Sequence, residues 1–182
     1  MFNMNKNAYN DLNRLRCLTK IGIFTSVFLV LELVSKFFVN FTSGYSVNLK
    51  IIWYAFVLLS KSIDLTTKFI FAFSSPFIVL IFGFDGINFW QVISEYLVAY
   101  WVMFVLVLFQ SQSSFLSKHH FLKINWLFVI VTIAFCLNFL VHFFAGIIWW
   151  TNYNYFVSAI LSFNYIFPSY LISLPLFITA FH

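Results

Sequence analysis

From Ile124 to His182, the last third of the chain, there is no Lys, Arg, Asp or Glu. Charged residues make up about 25% of an average soluble protein and coat its surface, so a water-facing domain cannot be built from this stretch. A membrane span needs about 20 apolar residues at 1.5 Å rise each, and the stretch has room for two spans and a turn. The rest of the chain agrees. Of 182 residues, 63% are hydrophobic and 8% charged, and 28 Phe outnumber the 10 Lys and Arg plus 5 Asp and Glu together. Disorder needs the opposite composition, and a soluble enzyme is excluded on the same ground. The sequence reads as an integral membrane protein. Backbone polar groups must be paired within lipid, so runs of this length are helices.

Hydrophobic runs between polar punctuation give six spans, at about 21–39, 49–60, 69–84, 90–110, 124–148 and 157–180. The second is too short to cross a hydrocarbon core of about 30 Å as a straight helix, and Ser74-Ser75-Pro76 breaks the third. With no internal repeat or linker, the expected architecture is all-α: a single membrane domain over 1–182, a compact bundle of six transmembrane helices behind a basic segment at 1–20. Nothing resembles a removable signal peptide. Cys17 and Cys136, one in the basic segment and one in an apolar run, are not expected to pair.

Lys6, Arg14, Arg16 and Lys20, then Lys61 and Lys68, then Lys118 and Lys123 fall on one side of a six-span topology. Lys36 and Lys50 fall on the other, near the first loop there. The positive-inside rule makes the basic side, with both termini, cytoplasmic. The net charge of +5 then reports topology and not nucleic-acid binding.

Ionisable groups within spans are costly to insert and mark functional or paired positions. Glu32, Glu95 and His142 are the three candidates. Lys36 follows Glu32 by four residues, and an i,i+4 ion pair accounts for both. Gln91 and Glu95 share a helical face by the same spacing, as do Asn138, His142 and Gly146. Gly146 opens space for a flat ring to approach the backbone. The run 149–155 ends the fifth span in Trp149, Trp150, Tyr153 and Tyr155, on the same external side as Glu95. A carboxylate beside aromatic rings suits a flat, cationic, partly apolar molecule. Two plainer readings stand beside this one: an interfacial aromatic belt, and a buried Glu95–His142 pair.

Ser94-Glu95-Tyr96-Leu97-Val98-Ala99 and His142-Phe143-Phe144-Ala145-Gly146-Ile147-Ile148-Trp149-Trp150 resemble signature segments of the ThiT family. These are the thiamine-specific S components of energy-coupling factor (ECF) transporters. The resemblance is strongest over 91–155, and it extends to chain length, span number and the order of the two segments. It implies a thiamine site near the external face in which Glu95, Tyr96, His142, Gly146 and Trp150 match ligand-binding positions. Tyr45 takes the place of a first-loop aromatic, Tyr155 that of a second loop tryptophan, and Asn164 (or Ser162, if aligned on Pro168) that of a sixth-span asparagine. No tyrosine falls cleanly at the family's other sixth-span position, and the glycine-rich third span is replaced by Phe, Ser and Pro.

No Gly-x-x-x-x-Gly-Lys phosphate loop and no His-Glu-x-x-His motif exists in the chain. An intramembrane enzyme using His119, His120 or His142 with Glu95 is a rival reading, but His119 and His120 are predicted roughly a membrane apart from Glu95. The chain is read as a non-enzyme without cofactor or metal. Gly22 and Ser26 form a small-x-x-x-small element in the first span, which serves internal helix packing in general. The resemblance makes it the surface that docks on the transmembrane coupling subunit, which two ATPase subunits drive. The partners implied are thiamine, those subunits and the lipid bilayer, in the plasma membrane of a bacterium. An S component for another vitamin or a thiamine precursor, and a structural membrane subunit, are the alternatives.

Overall fold

The computed structural model describes residues 6–39, 47–83, 89–110, 120–149 and 153–181, and everything it assigns to regular structure is helical. Six helices follow in order: α1 Lys6–Val39, α2 Leu49–Leu59, α3 Leu65–Gly83, α4 over 89–110, α5 His120–Trp149 and α6 Tyr155–Phe181. They correspond to the six runs read from the sequence. Four contain stretches long and apolar enough to cross a membrane, at Asp11–Ser35, Phe89–Leu108, Trp126–Trp149 and Tyr155–Ala180; Leu49–Leu59 and Leu65–Ile81 are shorter apolar helices. The basic segment is not separate from the first span. From Lys6 on it forms the opening turns of α1, where Asp11, Arg14 and Arg16 are exposed.

Aromatic rings fill the middle of the bundle. Phe28 of α1, Tyr54 of α2, Phe71 of α3 and Tyr100 of α4 are all at most 3% exposed. Their centroids lie 5.1 Å apart for Tyr54–Tyr100, 5.4 Å for Phe28–Tyr100 and 5.4 Å for Tyr54–Phe71. Most of these contacts are edge-on or tilted, as the ring quadrupole favours. One cluster thus ties four helices together.

Ser74-Ser75-Pro76 does not break the third span. α3 runs through Pro76. Proline lacks the N–H that would close onto the carbonyl four residues back, here that of Ala72. The Tyr54 hydroxyl, fully buried, donates to that carbonyl at 3.0 Å. Ser75 Oγ donates to the Phe71 carbonyl at 2.6 Å. The Tyr54 hydroxyl therefore serves the carbonyl that proline leaves short, which is how prolines are tolerated inside membrane helices.

α4 is irregular where the sequence suggests a plain helix. Ile93–Val98 is a π-helical stretch, and Val102–Phe104 a 3-10 turn. The i→i+5 bonding of a π stretch puts an extra residue into the turn. Within the stretch Glu95 and Tyr96 are half-buried, while Gln91 just before it is buried. Asn138 of α5 is fully buried and donates its amide to the Ala99 carbonyl at 2.6 Å, just ahead of the 3-10 turn. This bond pins the irregular helix to α5.

Candidate functional site

The start of α2 is drawn into the bundle instead of lying at its rim. A helix N-terminus has backbone N–H groups without intrahelical partners. Here the Asn48 side chain caps the Ile51 N–H at 3.3 Å, Ser35 of α1 accepts from Leu49 N–H at 3.1 Å, and Ser169 of α6 accepts from Asn48 N–H at 2.7 Å. Held from both sides, α2 buries its second residue, Lys50, to 6% exposure.

Lys50 forms an ion pair with Glu32 of α1, itself only 4% exposed. Glu32 is thus paired with Lys50, 18 positions on; the side chain of Lys36, the partner expected for it, lies outside the described residues. One expectation is corrected: Lys50 is an interior group and not a loop charge. The physical reason is the capped N-terminus of α2, which aims the lysine at the α1 carboxylate instead of at water. The ammonium also lies 5.8 Å from the Tyr96 ring centroid and 5.9 Å from that of Tyr100, within cation–π range.

His142 packs on Tyr165, which also feels the charge of Glu95. The His142 and Tyr165 rings meet edge to face at 4.9 Å. Tyr165 lies within electrostatic reach of Glu95 and Glu32, with the Asn48 side chain beside its hydroxyl, and His142 within reach of the Lys50 charge. Tyr165 is not among the residues the sequence points to, because it falls at no family position of the sixth span. Its signal was position: Pro168 follows three residues later, and a proline there leaves the Asn164 carbonyl without its usual amide donor. A tyrosine beside an unserved backbone carbonyl in an intramembrane helix is a candidate polar site.

The remaining expected residues divide. Tyr96 faces Lys50, and Asn164 is half-buried on α6. Gly146 is buried, but the space beside it is taken: a Cβ there would run into Ser158 Oγ. Ser158 in turn donates to the Phe143 carbonyl at 2.7 Å. In this structure the glycine lets α5 and α6 pack closely, in place of the open approach to backbone expected for it. Tyr155 is exposed at the first residue of α6. Just before it, Tyr153 carries the one positive φ of a non-glycine among the described residues, 67°, and donates its N–H to the Ile147 carbonyl at 2.9 Å, closing the end of α5. Tyr45 and Trp150 lie outside the described residues. Gly22 and Ser26 are both exposed; a Cβ at Gly22 would meet nothing within 4 Å, and Ser26 Oγ donates to the Gly22 carbonyl at 2.8 Å. The pair faces outward from the bundle, so the internal-packing reading of this element is set aside.

Polar side chains sequestered among lipid-facing helices mark solute or ion paths, and a helical bundle that gathers them as this one does is a membrane transport protein. Comparison with known families makes the class particular. The family described as "Thiamine transporter protein (Thia_YuaJ)" matches residues 18–181, and the chain belongs to it. Among solved structures, the fold is similar to that of ThiT from Listeria monocytogenes serovar, with a TM-score of 0.70, 20% identity, and 90% of this chain and 92% of that chain covered. No curated protein sequence matches the chain.

Proposed function

We propose that the chain, a single membrane domain over 1–182, is the thiamine-capturing S component of an ECF-type uptake transporter. One observation carries the reading: in a chain of the thiamine transporter family, His142 packs on Tyr165 with the Glu95 carboxylate within electrostatic reach. A carboxylate with aromatic faces provides what a cationic ring needs, charge from one side and stacking from the other. Glu95, Tyr96, His142, Tyr165 and Asn164 supply this set, with Trp150, Tyr45 and Tyr155 as the loop aromatics and Gly146 setting the separation of α5 and α6.

The positive-inside rule puts both termini in the cytoplasm and the site near the external face of a bacterial plasma membrane. Burial of Lys50 supports this orientation, because it removes a basic residue from the sparsely charged side. Energy for uptake comes from the coupling subunit and its two ATPase partners, reached through the outward face of Gly22 and Ser26.

Titrating the purified protein with thiamine while following tryptophan fluorescence tests the reading. Saturable quenching that weakens at least tenfold in Glu95→Gln and Trp150→Ala is the expected result. A folded protein whose fluorescence does not respond to thiamine overturns it.

A further inference from the structure

The Glu32–Lys50 pair is more than a clasp between α1 and α2. An ammonium has three N–H donors. Among the described residues Lys50 has one carboxylate partner, Glu32, and the faces of Tyr96 and Tyr100; ring faces attract charge but do not replace an acceptor atom. The Tyr100 hydroxyl, in a residue 3% exposed, has no hydrogen-bond partner either. It lies within electrostatic reach of Glu32, Tyr54, Tyr96 and Tyr165. Two buried donors short of acceptors thus sit beside Tyr96, Tyr165 and His142. Leaving donors unmet in an apolar interior is costly. A clasp also gives no reason to put a cation in the first turn of α2, where the helix dipole disfavours it.

We infer that Lys50 is a specificity-determining residue of the ligand site. It donates an N–H to a neutral acceptor on the bound ligand, a ring nitrogen or a hydroxyl oxygen, with the Tyr100 hydroxyl as a second donor and Glu32 fixing the ammonium in place. The inference rests on the proposed thiamine site, and thiamine carries both kinds of acceptor, in its aminopyrimidine ring and its hydroxyethyl arm. Because Glu32 already neutralises Lys50, the pair has no net charge to offer an anion. A phosphate ester adds about −1.5 to −2 charges beside the Glu32 carboxylate and in the field of Glu95. The site therefore selects the unphosphorylated ligand.

The test compares dissociation constants of thiamine and thiamine monophosphate on the purified full chain, with thermal unfolding recorded for every variant. Wild type is expected to prefer thiamine by about tenfold or more. Glu32→Gln, which leaves the lysine charge unneutralised, narrows that preference by about tenfold. Glu32→Gln/Lys50→Met removes both charges together and weakens thiamine by about tenfold. Tyr100→Phe deletes a hydroxyl that has no partner in the folded protein, so it unfolds no earlier than wild type and weakens thiamine severalfold. Folded variants with unchanged constants and an unchanged preference overturn the inference and leave the pair a clasp. Should Glu32→Gln and the double variant fail to fold, Tyr100→Phe alone decides. A wild type blind to thiamine is a different outcome, which removes the proposed function and this inference with it.

Discussion

The Tyr54 hydroxyl donates at 3.0 Å to the Ala72 carbonyl, the oxygen that Pro76 cannot serve. A tyrosine on α2 thereby completes the backbone of α3. Tyr54→Phe leaves that carbonyl buried and unmet, at about 1–3 kcal/mol. Restoring the amide with Pro76→Ala in the same chain returns the missing donor to α3. Thermal unfolding in detergent should show Tyr54→Phe destabilised and Tyr54→Phe/Pro76→Ala recovering at least half of the loss. Additive effects of the two substitutions would sever the link between the residues.

The contact between Gly146 and Ser158 predicts a second rescue. Gly146→Ala drives a methyl group against Ser158 Oγ, while Ser158 Cβ is at an ordinary 3.5 Å. Overpacking of this kind costs about 1–3 kcal/mol. Ser158→Ala removes the obstructing oxygen, so Gly146→Ala/Ser158→Ala should unfold later than Gly146→Ala alone. If the double variant is no better, the glycine is required for something other than packing against α6.

Much of this fold is legible in the sequence, because charge is scarce enough for polar breaks to mark the helix ends. The shared face of Asn138, His142 and Gly146 is legible too, since α5 is a regular helix and each of the three turns toward α4 or α6. The π stretch of α4 is not. Periodicity shows itself through contrast between an apolar and a polar face, and a helix in lipid is apolar on both. Lys50 was hidden for another reason. A lysine near a predicted loop reads as a water-facing charge, and only the long-range bonds from Ser35 and Ser169 that cap α2 turn it inward. Tyr165 depends on the packing of α6 against α5, which one sequence does not encode in any local pattern.

Acidification should act through Asp64, in the turn between α2 and α3. Its carboxylate accepts the Thr67 N–H at 2.9 Å and the Thr67 hydroxyl at 2.8 Å, capping α3. The backbone bond above all, against the opposing effect of burial, holds the carboxyl below its ordinary value of 3.8. A carboxyl with a lowered folded-state pKa stabilises the fold above the unfolded pKa, about 3.9, and that contribution is lost as pH falls through the folded value. Asparagine caps nearly as well as aspartate but does not titrate. Asp64→Asn should therefore lose less stability than wild type below about pH 4, and Asp64→Ala should be weaker by about 1 kcal/mol at neutral pH. Parallel pH profiles for wild type and Asp64→Asn would contradict the assignment.

If the proposed docking surface is right, substitutions at Gly22 and Ser26 separate binding from transport. α1 turns Thr25, Phe28, Glu32 and Ser35 inward and presents Gly22, Ile23, Ser26 and Val30 outward. Ser26 satisfies its hydroxyl on its own helix at the Gly22 carbonyl, so between Ile23 and Val30 the Gly22–Ser26 pair adds neither an unmet polar group nor bulk. Small outward surfaces allow close approach of another helix in lipid. A Cβ at Gly22 meets nothing within 4 Å and Ser26 is exposed, so an outward leucine at either position is comfortable against lipid. Gly22→Leu and Ser26→Leu should therefore leave thermal unfolding and thiamine-dependent quenching within error of wild type. Uptake of labelled thiamine by cells that also make the coupling subunit and its ATPases should fall at least tenfold. Uptake at the wild-type rate in both variants would move the docking surface elsewhere on the bundle, while a loss of quenching would mean that this face of α1 shapes the ligand site itself.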